Sequence, residues 1–187
     1  MNTTPKKSGY AILYLLVLLF FVPLIAAWVL YKTPAQWYRD PVNNGVLLKT
    51  PLHLEQLQLS DADGKAFDAN AMRGHWIMLY RAALPCDEGC NSNLYYMRQV
   101  RTALGKDRMR VQRIVVTNTA AKDFDQMLVQ EYPETQHLTA SNQLALQTGS
   151  LYLVDPLGNI IMMYSGTLEP KKLLADITKL LRVSKIG

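Results

Sequence analysis

From Gly9 to Tyr31 the chain carries no charge, and the stretch YAILYLLVLLFFVPLIAAWVLY is almost wholly apolar, with no polar stripe at helical spacing. A helix of that length rises about 33 Å, which matches a hydrocarbon core of about 30 Å. Pro23 bends such a helix without forbidding it, because a bilayer leaves helix as the only open-ended conformation. The pattern therefore predicts a transmembrane anchor over residues 10–31, with residues 1–9 before it. A cleaved signal peptide is the rival, but the run is longer than an ordinary signal core and Ala26-Ala27-Trp28 is a poor cleavage site.

Beyond the anchor the periodicity changes. Residues 32–51 hold Pro34, Pro41, Asn43-Asn44-Gly45 and Pro51 and predict a tether with little regular structure. LHLEQLQL then alternates apolar and polar, the period of a half-buried strand, and DADGK turns the chain at Gly64. IMLYR is a short apolar run expected as a buried strand, and the cysteine segment follows it. Leu94, Met97, Val100, Arg101 and Leu104 fall at helical spacing from about Asn91, where the Asn-Ser-Asn cluster offers capping oxygens. VQRIVVT predicts a second buried strand, residues 121–131 a helix, and SLYLVD and IIMMY a hairpin around Pro156-Leu157-Gly158-Asn159. A last amphipathic helix runs from Glu169 to Arg182, with Leu173, Leu174, Ile177, Leu180 and Leu181 on one face. This order predicts an α/β domain over residues 52–187: a thioredoxin-like central sheet with helices on both faces, preceded by one transmembrane helix. The cysteines then sit after a central strand, at the N-terminus of a helix.

Composition sharpens this picture at two points. Apolar residues make up 49% of the 187, enough for a packed core. The net charge of +5 is scattered rather than clustered, so it gives no signal for nucleic acid. One basic group, Lys171, Lys172, Lys179, Arg182 and Lys185, lies on the last helix and is expected as a solvated face, with anionic lipid as the lesser alternative. Lys6 and Lys7 precede the anchor while Lys32, Arg39 and Asp40 follow it. The positive-inside rule favours a cytoplasmic N-terminus and a C-terminal domain outside, the expectation for a single-pass protein of a bacterial-type inner membrane facing the periplasm. Trp28, Tyr31, Trp37 and Tyr38 form an expected interfacial belt.

The chemistry is concentrated in AALPCDEGCNSNL, which contains both cysteines, Cys86 and Cys90. Thiols at i and i+4 across a loop-to-helix junction approach closely enough for a disulfide, with Gly89 relaxing the backbone. Closing so short a loop removes only roughly 2 kcal/mol of chain entropy, against about 4.7 for a 100-residue loop. Such a bond is a poor clamp and a good switch, so a redox or metal role outweighs a static bridge. The helix N-terminus favours thiolate, Asp87 and Glu88 oppose it, and Arg81 just before the loop could favour it. Two thiolates suit Cu(I), and an added nitrogen ligand suits Cu(II); zinc wants more protein ligands.

The run GHWIMLYRAALPCDEGCNSNL, the upstream LSDADGKAF and the downstream LYLVDPLGNIIMMYSG together resemble the Sco/SenC family of cytochrome oxidase assembly proteins. The resemblance covers roughly residues 52 to 182. It implies a thioredoxin-like fold, copper as the metal, and a partner that is a subunit of a copper-containing respiratory oxidase or one of its assembly factors. Cys86 and Cys90 match the family's copper-binding and redox cysteines. The family's third ligand is a histidine before the YLVDP strand, and that position here is Gln147; prolines that commonly follow the family's cysteines are replaced by Asp87 and Asn91. His137, expected in a loop before that strand, is the candidate substitute ligand. His75 is expected to cap or pack, His53 to be solvated in the tether, and Met162 and Met163 to point to opposite strand faces.

Three functions remain open at this point. One is an anchored assembly factor that carries copper or keeps target thiols reduced. Another is a general thiol–disulfide oxidoreductase with Cys86 as nucleophile and Cys90 as resolving thiol, although QTGSLYLV lacks the proline that thioredoxins place before the penultimate strand pair. The last is a non-catalytic scaffold with an inert bridge.

Overall fold

The computed structural model of the protein describes residues 10–32, 43–140 and 144–184. Expectations placed on Lys6, Lys7, Pro34, Trp37, Tyr38, Arg39, Asp40, Pro41 and Lys185 lie outside the described residues. The apolar run is one helix, α1 (Tyr10–Lys32), with Pro23 inside it and no buried residue. Its 23 residues span about 34 Å and are long and apolar enough to cross a membrane.

A separate compact unit begins at Asn43. It contains the strands β1 (Val46–His53), β2 (Trp76–Arg81), β3 (Val111–Thr117), β4 (Thr135–Thr139), β5 (Leu151–Val154) and β6 (Asn159–Tyr164). Its helices are α2 (Glu88–Ala103), α3 (Lys122–Glu131) and α4 (Pro170–Val183). The sheet order is β1-β6-β5-β2-β3-β4. Strands β2, β3 and β4 run parallel, so each step needs a crossover, and α2 and α3 supply them. The neighbours β2–β5, β5–β6 and β6–β1 are antiparallel. A mixed sheet covered by helices, with the cysteine turn between β2 and α2, is the thioredoxin-like fold that the element order predicts.

Side-chain alternation on β2 divides the core. Trp76, Met78 and Tyr80 face Leu94, Met97 and Val100 of α2, Phe124 and Leu128 of α3, and Leu173, Ile177 and Leu181 of α4. Ile77 and Leu79 face the other way, against Leu54, Leu57, Leu59 and Leu146. The expectation of helices on both faces is therefore corrected: the apolar stripes of α2, α3 and α4 all join one cluster. The opposite face is closed by short turns and by Leu144 and Leu146.

Two further corrections concern the start of the domain. Residues 46–53, expected within the tether and at the start of a later strand, form β1 on the sheet edge beside β6. An edge position tolerates Pro51 because the edge need not donate every ladder hydrogen bond. LHLEQLQL is not one strand: only Leu52 and His53 belong to β1, and Leu54–Leu57 form a 3-10 turn. The buried residues are Leu54, Leu57 and Leu59, a spacing that a 3-10 turn followed by extended chain presents to one surface. This segment crosses the sheet, from the Leu54 amide donating to the Gly158 carbonyl (2.9 Å) to the Ser60 amide donating to the Thr139 carbonyl (2.9 Å).

The first residues of the unit are pinned by a buried carboxylate. Asp176 of α4 accepts from the backbone amides of Asn44 (2.8 Å) and Gly45 (3.1 Å), from Asn44 Nδ2 (3.0 Å) and from the Tyr164 hydroxyl (2.7 Å). Gly45 is needed there, because a Cβ would stand 2.6 Å from side-chain atoms of Met162 and Tyr164.

Candidate functional site at the start of helix α2

All six residues of β2 are buried, so the strand emerges from the centre of the sheet with its C-terminal end fixed on both sides. The Arg81 amide donates to the Ser150 carbonyl (3.0 Å), the Gly149 amide to the Arg81 carbonyl (2.8 Å), and the Ala82 amide to the Val116 carbonyl (2.9 Å). The chain then turns through a cis peptide between Leu84 and Pro85 into Cys86. Glycine and serine, Gly149-Ser150, occupy the position before β5 where a proline was sought in the sequence.

Helix α2 begins at Glu88, with Asp87 as its N-cap: the Asp87 carboxylate accepts the Cys90 backbone amide at 2.7 Å. The expected start near Asn91, capped by the Asn-Ser-Asn cluster, is thereby corrected. Asp87 stands three residues before Cys90, the N-cap to N3 spacing that a short carboxylate side chain satisfies. Gly89 lies inside the first turn and is not among the glycines with positive φ, so it is ordinary helix.

Cys86 and Cys90 are joined in a disulfide, with Cα atoms 5.3 Å apart. The two sulfurs differ in access. Cys90 is 4 % exposed and packs in the helix-side core, whereas Cys86 is half-buried at its edge. Cys86 Sγ lies 3.5 Å from Asn91 Oδ1. The bridged sulfur has no proton, so this is a contact and not a hydrogen bond.

Beneath the turn lies a buried polar pair that the periodicity did not single out. Tyr80 and Asn93 share a hydrogen bond of 3.4 Å. Asn93 Nδ2 also donates to the Gly166 carbonyl (3.2 Å), and its Oδ1 accepts the Leu168 amide (2.9 Å). Burial pushes the Tyr80 hydroxyl above its ordinary pKa, with Asn93 lowering it and the Asp87 charge raising it. Asn93 thus joins the cysteine helix to the loop after β6. A polar residue at i+3 from Cys90 on an otherwise apolar stripe was the available signal.

Arg81 does not face the bridge. By strand alternation it points to the sheet face opposite Tyr80, where Nε donates to Thr148 Oγ1 (3.2 Å) and Nη2 to Asn118 Oδ1 (2.8 Å). Its expected influence on the thiolate is therefore corrected to a positioning role between β3 and the 147–150 segment. Burial lowers its pKa.

His137 lies in β4 rather than in a loop, at the sheet edge. Its Nδ1 bonds the Asp125 carboxylate and its Nε2 bonds Thr117 Oγ1 at 2.7 Å, while its ring meets Phe124 edge-on. Both ring nitrogens are engaged, so this side chain has no free donor to offer a metal. Gln147 is exposed, and its backbone amide donates to the Tyr152 hydroxyl (2.7 Å). His53, expected to be solvated in a tether, is exposed at the end of β1. Met162 and Met163 point to opposite faces and join the two different core clusters. Among the described residues no group of three His, Cys, Asp or Glu side chains is placed to hold a metal ion. The two sulfurs, once reduced, retain the donor set of a two-coordinate soft cation such as Cu(I).

A sheet with this strand order and a cysteine bridge at the N-terminus of its first crossover helix define a thioredoxin-like domain. Residues 76–184 match the family described as transmembrane-like, thioredoxin-like, C-terminal domain, and the chain belongs to that family. Comparison with curated proteins finds no match. Among solved structures, the apo Sco1 protein from Thermus thermophilus is similar at 16% identity with a TM-score of 0.59, covering 74% of this chain and 97% of that one. Yeast Sco1 with copper bound is similar at 18% identity and a TM-score of 0.56, covering 72% and 92%. A secreted Mycobacterium tuberculosis disulfide oxidoreductase homologous to E. coli DsbE follows at 16% identity and 0.52, covering 67% and 98%. At these identities the likeness is one of fold.

Proposed function

We propose that this chain is a membrane-anchored, Sco-like assembly factor for a copper-containing respiratory oxidase, working through Cys86 and Cys90 as a thiol reductant and handling Cu(I) as cargo. The observation that carries the proposal is the asymmetry of the pair. Cys86 is reachable at the helix N-terminus, and Cys90 is buried directly beneath it. In the reduced protein the Cys86 thiolate attacks one sulfur of a target disulfide; the target S–S bond breaks, a mixed disulfide forms and one target thiolate leaves. Cys90, losing its proton, then attacks Cys86 Sγ, releasing the second target thiol and forming the bridge. Two electrons pass to the target, and a dithiol reductant must restore the pair. The mixed likeness of the fold, to copper-bound Sco1 and to a disulfide oxidoreductase, supports the choice of thiol chemistry over a scaffold.

The length and apolar character of α1 support a single-pass anchor in a bacterial-type inner membrane, and Lys6 and Lys7 before it support a periplasmic domain. In that compartment a dithiol needs a dedicated reductant, which suits a protein that consumes its own reducing equivalents on one target.

The deciding experiment is anaerobic titration of the reduced full-length chain in detergent micelles with Cu(I), wild type beside the Cys86→Ser/Cys90→Ser variant, together with reduction of a model disulfide. Stoichiometric Cu(I) binding and disulfide reduction, both lost in the variant, support the assignment. Disulfide reduction without copper binding transfers the chain to the general oxidoreductases, and loss of neither activity in the variant refutes a cysteine function.

A further inference from the structure

Along α2, about 16 Å from Cys90, the helix ends in a second polar region. A cavity of about 190 Å³ opens there, lined by Arg98, Arg101, Arg108, Arg113, Thr102 and the Pro133-Glu134 turn. This is space for several waters or for one tetrahedral oxyanion. Its walls come from α2, which carries Arg98 and Arg101, from the 105–110 turn with Arg108, from β3 with Arg113, and from the segment entering β4.

Two of the four are buried. Arg113, 4 % exposed, gives one N–H to the Pro133 carbonyl, while its Nε and Nη1 have no partner among the described residues. Arg101, 6 % exposed, spends Nε on the Val111 carbonyl (2.7 Å) and Nη1 on the Glu134 carboxylate. Arg98 is set in place by the Glu131 carbonyl (2.6 Å) and by the faces of Tyr95 and Tyr132, each 5.5 Å from its guanidinium carbon. Arg108 is exposed at the mouth.

Four cations therefore line the pocket, three of them held by hydrogen bonds, against one carboxylate, that of Glu134; nearby Asp107 pairs with Arg110 (3.4 Å) instead. Arginine keeps its charge in proteins, and a buried cation without a counter-ion is costly. Burial first, then the Arg101 and Arg98 charges, push Arg113 down to about 10 against a partial offset from Glu134, and the group stays protonated at neutral pH. Glu134 reaches Arg101 from a left-handed backbone (φ 64°), a conformation that residues with a side chain rarely adopt. One carboxylate at the rim leaves the inner N–H groups of Arg113 unanswered. An anion with two or more acceptor oxygens answers them, and planar guanidinium forks match phosphate geometry.

We propose that this pocket binds a phosphate-type oxyanion, carried by a soluble phosphomonoester or by a phospholipid headgroup, with Glu134 as the internal group that yields Arg101 to it. The site is separate from Cys86 and Cys90, so it stands or falls independently of the cysteine chemistry.

The test uses the full-length chain in phosphatidylcholine nanodiscs, titrated calorimetrically with inorganic phosphate against chloride at matched ionic strength. Saturable binding is expected, about tenfold weaker in Arg108→Ser, whose side chain is exposed and whose removal leaves the core intact, and tighter in Glu134→Gln. A parallel arm replaces the lipid with phosphatidylglycerol. A rise in melting temperature there that Arg108→Ser abolishes, with no response to inorganic phosphate, identifies the headgroup as the source. Absence of both responses overturns the proposal, as does phosphate binding that neither substitution alters.

Discussion

The side-chain carboxylate of Asp87 accepts the backbone amide of Cys90 at 2.7 Å, so the residue that starts the cysteine helix also sets a negative charge at the helix end that carries the bridge. The cap stabilises the helix while the charge opposes thiolate. Asp87→Asn keeps an oxygen acceptor for the Cys90 amide and removes the charge. The reduced form then gains about 0.3–1 kcal/mol, and the reduction potential of the Cys86–Cys90 pair rises by about 5–20 mV. Equilibration with glutathione buffers measures it; an unchanged or more negative potential contradicts this account of Asp87.

Asn93 closes the underside of the site with bonds to the Gly166 carbonyl and the Leu168 amide. Asn93→Ala strands the buried Leu168 amide and Tyr80 hydroxyl, while the Gly166 carbonyl is exposed to water, and each unsatisfied buried group costs about 1–3 kcal/mol. Chemical denaturation of the full-length chain in micelles should show a loss of about 2–4 kcal/mol. Reduction of the bridge alone, which frees a loop of about five residues, should cost only about 2 kcal/mol. A disulfide worth more than the asparagine would reverse this ranking.

Much of this arrangement was legible in the chain. β2, β3, β5 and β6 are short apolar runs bounded by turn residues, and buried central strands need nothing subtler. β4 was missed because TQHLT is an edge strand in which only Leu138 is fully buried, so its pattern is that of a loop. β1 was missed because Lys49 and Pro51 mimic a tether, and only pairing with β6 makes it a strand. At the site, the cysteines and the helix behind them were plain, but the face of Arg81 was not. A one-residue step along a strand reverses direction, and Arg81 follows Tyr80, which took the cysteine side. His137 reads as a candidate substitute ligand in the sequence because nothing local announces Asp125 and Thr117, which reach it from α3 and β3.

That placement of His137 has a measurable consequence. Competition with a chromophoric Cu(I) chelator should give the same affinity for reduced wild type and His137→Ala, since the ring is committed on both nitrogens. The same variant should lose about 1–3 kcal/mol of stability, because Thr117 and Asp125 lose a shared partner. A drop in copper affinity with stability intact would instead make His137 a copper ligand.

Tyr164 gives the domain a defined alkaline limit. Its hydroxyl donates to Asp176, and burial first, then the Asp176 bond and charge, raise its pKa far above the ordinary value of 10.0. In the unfolded chain the phenol ionises near 10; in the folded domain it keeps its proton. Above that pH the unfolded state binds fewer protons than the native state, so stability is fully present below about 10 and falls as pH rises further. Tyr80 and Tyr132 are raised as well, mainly by burial, and add to the slope. Tyr164→Phe should reduce that slope by about one proton while costing stability at neutral pH through the lost bond to Asp176. Denaturation midpoints at a series of pH values from 8 upward, compared between the two proteins, measure the difference; parallel curves would mean that Tyr164 ionises as readily in the fold as outside it.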